Sequence, residues 1–92
     1  MQARNHVAKV LTVLLQAQRE GTSWLWVREI ARRTKLHPEV VRRVVDGYLS
    51  NAIESAEVDP LLEKGLRIRP VMLKPGVTVE GHLRYLKAMG KL

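Results

Sequence analysis

The chain has 92 residues, of which 46% are hydrophobic and 27% are charged. This balance is typical of a folded protein, because a disordered segment carries too few apolar side chains to form a core. The length suits one folding unit, so we predict a single domain over residues 1–92. There is no cysteine, which excludes a disulfide framework and a cysteine-ligated zinc site.

Sixteen Lys and Arg residues against nine Asp and Glu residues give a net charge of +7. Such an excess favours polyanionic partners, because binding releases their counterions. Nucleic acid is the leading candidate, although many basic proteins use their charge only for solubility. The position of the charges along the chain has to decide between the two.

No apolar run is long enough to cross a membrane. The longest, from Val10 to Leu15, is interrupted by Thr12, and the amino-terminal residues lack the apolar region of a signal peptide. We expect a cytoplasmic protein with no membrane partner, associated with the nucleoid if its partner is DNA.

The first element is an amphipathic helix. Apolar side chains recur three and four residues apart from Ala3 to Arg19, and Gly21 then breaks the pattern. A short aromatic strand is predicted next, over Ser23 to Trp26. The apolar stripe of the helix consists of Val7, Val10, Leu11, Leu14 and Leu15.

Two further helices follow, separated by a tight turn. The second is expected from Val27 to about Thr34 or Lys35, and the third over about residues 37–49. Pro38 fits the first turn of the third helix, where its missing N–H costs no hydrogen bond. His37 or the residues just before it then supply the bend. The third helix turns one apolar stripe to the core, made of Val41, Val44, Val45, Tyr48 and Leu49.

A β-hairpin and a last helix complete the chain. Ile53 to Val58 and Leu66 to Leu73 alternate as strands, joined by a loop over Asp59 to Gly65. Pro70 indicates an edge position or a bulge in the second of these strands. Thr78 can cap the last helix. Its apolar side is predicted to carry Val79, Leu83, Leu86 and Met89.

This order of elements resembles the winged helix-turn-helix superfamily, and its small archaeal transcriptional-regulator-like members in particular. Apolar residues, Ile30, Leu36, Val41 and Val44, and the small Ala31 stand where that superfamily packs its two central helices together. The resemblance covers nearly the whole chain. It implies an α+β, mostly helical fold with a two-stranded wing hairpin.

Two positions depart from the pattern of the superfamily. Lys35 stands at the turn, where glycine is frequent, and a lysine held in the left-handed region costs about 1 kcal/mol. Trp26 stands where Ser or Thr usually caps the second helix. We expect Trp26 to be covered by the hairpin or by a second subunit, if it is not a cap.

The resemblance also implies a function, which is sequence-specific binding of double-stranded DNA by a transcriptional regulator. In such proteins the third helix enters the major groove and the second lies across the backbone. Arginine matches guanine, glutamate accepts from cytosine and valine contacts the thymine methyl group, so Arg42 and Arg43 are the first candidates for base readout. The full set for base readout is His37, Glu39, Val40, Arg42 and Arg43. The set for the DNA backbone is Arg28, Arg32, Arg33 and Lys35, with Lys64, Arg67 and Arg69 in the wing.

Members of this superfamily often dimerise through the first and last helices, so the resemblance further implies a homodimer. Both helices here carry wide apolar faces, more than we expect one small core to need. The two recognition helices of the dimer would lie about 34 Å apart on a palindromic site. We expect no enzyme activity, cofactor or metal, because the sequence carries no phosphate loop, paired carboxylates or nucleophile signature. The histidines His6, His37 and His82 are expected at the surface, although the fold could bring His6 and His82 together.

Three other interpretations stay open. The outer faces of the second and third helices can be merely solvated, with Glu29 pairing with Arg32 or Arg33 along the helix. The domain can be a protein-interaction module that uses Trp24, Trp26, Leu61 and Leu62. It can also coat DNA without sequence preference or bind RNA, although four aromatic residues are few for stacking on single strands.

Overall fold

A computed structural model of the chain describes residues 3–22, 24–55 and 70–92. Over these residues the domain is α+β and mostly helical, as predicted, with four helices beside an antiparallel three-stranded sheet. Within the same ranges, no helix combines the length and the hydropathy that a membrane-spanning segment requires. The elements in chain order are α1 (Ala3–Arg19), β1 (Leu25–Trp26), α2 (Val27–Thr34), α3 (Pro38–Tyr48), β2 (Ile53–Ser55), β3 (Pro70–Leu73) and α4 (Val79–Ala88).

The first helix lies at the centre of the core, and its predicted bounds are confirmed. It contacts α2, α3, α4 and β3, and five of its side chains have no exposed surface at all. The domain itself therefore buries four of the five residues of the predicted stripe. Ala17 is fully buried, whereas Leu15 of the predicted stripe is only half-buried. The five fully buried residues are Val7, Val10, Leu11, Leu14 and Ala17.

The strand β3 lies between β1 and β2, and both pairings are antiparallel. Ile53 is opposite Leu73, and Trp26 is opposite Pro70. The prediction of an edge position for Pro70 is therefore wrong, because β3 is the central strand of the sheet. The part of the predicted strand before Pro70, where a bulge was the alternative, lies outside the described residues.

The first strand, β1, begins at Leu25, later than predicted. The described parts of the predicted hairpin are β2 and β3. Ser23 and residues 56–69 lie outside the described residues, and with them lie the predicted loop and Lys64, Arg67, Arg69, Leu61 and Leu62.

The last helix begins at the predicted cap. The hydroxyl of Thr78 accepts a hydrogen bond from the backbone N–H of Gly81 at 3.0 Å. Leu83 and Leu86 are buried, as predicted. The prediction that Met89 belongs to the apolar side of this helix is wrong, because Met89 lies beyond the helix with 59% of its surface exposed.

Two side chains tie the carboxyl-terminal part of the chain to the end of α3. Nε2 of His82 donates to the carbonyl oxygen of Tyr48 at 2.7 Å, and Nζ of Lys91 donates to that of Gly47 at 3.1 Å. Both carbonyls belong to the last turn of α3, where intrahelical donors run out. The prediction of a surface position is wrong for His82, which is only 7% exposed.

Candidate nucleic-acid interface

The turn between α2 and α3 is formed by Lys35, which has φ 60° and ψ 24° in the left-handed region. It is the one non-glycine residue with positive φ among those the structure describes. The bend is thus made at Lys35, in the connection that precedes His37. A side chain with a Cβ is strained there.

The turn is held by Thr34, which the sequence analysis did not single out. Its buried hydroxyl donates to the carbonyl oxygen of Ile30 at 2.8 Å and accepts from the backbone N–H of Leu36 at 3.3 Å. One side chain thus bonds to a carbonyl inside α2 and to an amide of the connection. A Thr at the end of an apolar helical pattern is the only sequence signal of this role.

The third helix starts with a side-chain cap. Nδ1 of His37 accepts a hydrogen bond from the backbone N–H of Glu39 at 3.1 Å, and Pro38 takes the first helical position. The second helix has no such cap, since Trp26 makes no side-chain hydrogen bond to its first turn. His37, a predicted base-contacting residue, therefore has one ring nitrogen engaged with its own helix.

On α2, one carboxylate holds two arginines. Glu29 accepts from Nε of Arg32 at 2.9 Å and from Nε of Arg33 at 2.8 Å, and Nη2 of Arg32 is bonded to it as well. The hydrogen bonds from Arg32 and then from Arg33 lower the pKa of Glu29 to about 2. The salt bridges from Glu29 along the helix, one of the open interpretations of the sequence, are therefore present. They engage Arg32 and Arg33, two of the residues predicted to contact the DNA backbone.

On α3, a second carboxylate holds only one arginine. Nη2 of Arg42 lies 2.7 Å and 2.9 Å from the two carboxylate oxygens of Glu39. This hydrogen bond lowers the pKa of Glu39 and raises that of Arg42. Arg42 and Glu39, both predicted to read bases, are therefore bonded to each other.

Three of the basic residues predicted to contact DNA are exposed and form no salt bridge among the described residues. They are Arg28, Lys35 and Arg43. Arg28 lies in the first turn of α2, Lys35 is the turn residue and Arg43 lies on the outer side of α3. Val40, next to Arg43 on this surface, is half-buried. From residue 28 to residue 43 there are six basic and two acidic residues, a net charge of +4 out of +7 for the chain.

Among residues 3–22, 24–55 and 70–92 no three His, Asp or Glu side chains are placed to hold an ion. His82 bonds to a backbone carbonyl, and His37 caps a helix.

An open groove of about 400 Å³ lies between α1 and the end of α2. Apolar and uncharged polar side chains line most of it, with one lysine and one arginine among them. Its lining residues are Asn5, Ala8, Lys9, Thr12, Val13, Arg33 and Thr34.

Comparison of this chain with protein-family models, with curated proteins and with solved structures finds no match. What the surface of α2 and α3 does must therefore be inferred from its own residues.

Proposed function

We propose that the chain is a winged helix-turn-helix protein that binds double-stranded DNA with sequence specificity and regulates transcription. In this proposal α3 enters the major groove, and α2 and the turn lie against the phosphate backbone. The observation that carries the proposal is the concentration of positive charge on two helices that pack against each other across a tight turn. More than half of the net charge of the chain lies between residues 28 and 43.

The ion pairs on this surface are compatible with DNA binding. They are solvent-exposed, with 71% of the Arg32 side chain and 41% of the Arg42 side chain accessible. Exposed pairs of this kind contribute about 0–1 kcal/mol, so a phosphate can replace the carboxylate at little cost. Arg28, Lys35 and Arg43 need no such exchange.

The homodimer belongs to the same proposal and depends on the last helix. Tyr85 and Met89 are 40% and 59% exposed at the end of α4, whereas Leu15 is the one residue of the predicted α1 stripe that is not fully buried. Two copies joined there would present two copies of α3 to successive turns of the duplex.

The test is a titration of the protein with random-sequence duplex DNA at about 50 and 200 mM salt. Six phosphate contacts predict a loss of affinity of about a thousandfold between these two conditions. Selection from a random-site library then shows whether one sequence is enriched. Absence of binding at 50 mM salt contradicts the proposal, and binding without enrichment contradicts its specificity.

A matched pair of variants locates the contact surface. Arg28, Lys35 and Arg43 are replaced together by Gln in one variant, and Arg4, Lys9 and Arg84 in the other. Both lose three positive charges from exposed positions, the first from the proposed surface and the second from α1 and α4. We expect the first to bind weakly and with a shallower salt dependence, and the second to bind almost as the wild type. Equal losses would mean that net charge alone attracts the DNA.

One observation favours a second candidate function, a protein-interaction module. Trp24 and Trp26 are 44% and 46% exposed at or beside the edge strand β1, so nearly half of the surface of each is open to a partner. They are the only two tryptophans of the chain. A failure to bind duplex DNA would favour this function.

A further inference from the structure

The outer side of α3 consists of two parallel rows of residues. Residues three and four apart lie above one another on a helix, which puts Glu39, Arg42 and Asp46 in one row. We call this the paired row. Val40, Arg43 and Gly47 form the neighbouring row by the same spacing, and we call it the open row.

The paired row carries two carboxylates around one arginine. Nη2 of Arg42 is bonded to both oxygens of Glu39, and the charge of Asp46 adds to the rise in the pKa of Arg42. Its only cation, Arg42, already has an acceptor. A phosphate or a base must displace Glu39 before it bonds to Arg42, an exchange that Arg43 does not need.

The open row has no carboxylate. Arg43 is exposed and forms no salt bridge with any residue that the structure describes, so its guanidinium is available to a partner. Val40 offers a half-buried apolar side chain one turn before it, and Gly47 exposes bare backbone one turn after it. From Val40 to Gly47 the row is about 10 Å long, which is close to the roughly 12 Å width of the major groove.

Among the residues that the structure describes, nothing requires glycine at position 47. Gly47 lies within α3 without the positive φ that Gly21, Gly76 and Gly90 have, and a Cβ added to it would meet nothing within 4 Å. In Gly81, by contrast, an added Cβ would lie 2.7 Å from the capping hydroxyl of Thr78. Alanine at position 47 would make the helix more stable. Glycine is typical of places where another molecule comes close to the backbone.

We propose that the open row is the surface of α3 that contacts base edges, and that Gly47 is the point of closest approach of the duplex. Arg43 donates to a guanine, and Val40 contacts a thymine methyl group next to it. Arg42 stays bonded to Glu39 and makes no base contact. This inference rests on the proposed function, since it assigns roles within the same DNA-binding surface.

Two adjacent substitutions test the assignment of the rows. Arg43→Gln and Arg42→Gln each remove one positive charge from α3, so the general attraction to phosphates falls equally in both. We expect Arg43→Gln to weaken binding to the selected site by about tenfold or more and to abolish the preference for one guanine. We expect Arg42→Gln to keep the selected sequence and to lose less than about threefold.

Two glycine substitutions test the close approach. Gly47→Ala is expected to raise the melting temperature by about 4 °C and to weaken binding to the selected site by about tenfold. Gly81→Ala is the control, since it disturbs the cap of α4 and should lower the melting temperature while the affinity stays unchanged. Melting followed by circular dichroism and binding followed by fluorescence anisotropy give both quantities for each variant.

The outcomes separate this inference from the proposed function. If the wild type binds no duplex, the proposed function fails. If it selects a sequence but Arg42→Gln alters that sequence while Arg43→Gln does not, the inference is wrong and the function stands. Unchanged affinity of Gly47→Ala likewise overturns the close approach alone.

Discussion

α2 and α3 have the same local pattern of charged residues but form different sets of ion pairs. Each helix has a glutamate followed three and four residues later by two arginines, beginning at Glu29 in α2 and at Glu39 in α3. Glu29 holds both of its arginines, whereas Glu39 holds only Arg42 and leaves Arg43 exposed. The same spacing therefore gives a closed cluster on one helix and an available guanidinium on the other.

The two helices also differ in how their ends are held. α3 has the His37 cap at its start, and its last carbonyls accept from His82 and Lys91. α2 has no side-chain cap at Trp26 and ends at the strained Lys35. An isolated helix of eight residues is only marginally stable, so α2 depends on its packing more than α3 does.

The largest expected effect is on that packing. Ile30 is the largest buried side chain of α2, whereas α3 spreads its buried surface over three valines. We expect Ile30→Ala to lower the free energy of unfolding by about 3 kcal/mol and Val45→Ala to lower it by about 2 kcal/mol. Urea denaturation measures both. A larger loss for Val45→Ala would show that α2 does not depend on one side chain.

A smaller effect, of opposite sign, is expected at the turn. Lys35→Gly removes the Cβ from a left-handed position and should raise the free energy of unfolding by about 1 kcal/mol. Lys35→Ala is the control, since it removes the same charge but keeps the Cβ, and its stability should match the wild type. If the two variants are equally stable, the strain assigned to Lys35 is absent.

The smallest effect is on the pH dependence of stability. The pKa of Glu29 falls from an ordinary value of 4.5 to about 2 in the folded protein. The stabilisation that the ion pairs of Glu29 give the folded protein is therefore complete above about pH 4.5 and is lost as the pH falls towards 2. We expect Glu29→Gln to remove this component from a series of urea denaturation curves, and Glu39→Gln to remove a smaller one. A larger change for Glu39→Gln would reverse the comparison between the helices.

Long, regular patterns were the predictable part of the fold. α1 extends over 17 residues, enough for its three- and four-residue spacing to fix both its bounds and its buried side. The stripe of α3 followed from Val41, Val44 and Val45 in the same way, and all three are buried.

Short and long-range features were not predictable. β1 has only two residues, too few to show a period in the sequence. Its partner β3 lies far along the chain, so no residue near Pro70 indicated that β3 is the central strand. His82 looked like a surface residue because it is polar. Its burial depends on the carbonyl of Tyr48, which no local pattern reveals.

The candidate site was predictable in its composition but not in its pairing. Arg42 and Arg43 are equivalent in the sequence, since Glu39 stands three residues before one and four before the other, and both spacings permit a salt bridge. Only the packed helix distinguishes them. Thr34 was missed because its role depends on the left-handed turn after it.

The absence of any residue between β1 and α2 has a mechanical consequence. Trp26 is at once the last residue of the edge strand, opposite Pro70, and the residue from which α2 starts. Because no linker residue separates the two elements, β1 cannot shift without moving the first turn of α2. Local opening of β1 would release the sheet edge and the uncapped first turn of α2 together, so their amide protons belong to one cooperative unit in hydrogen exchange.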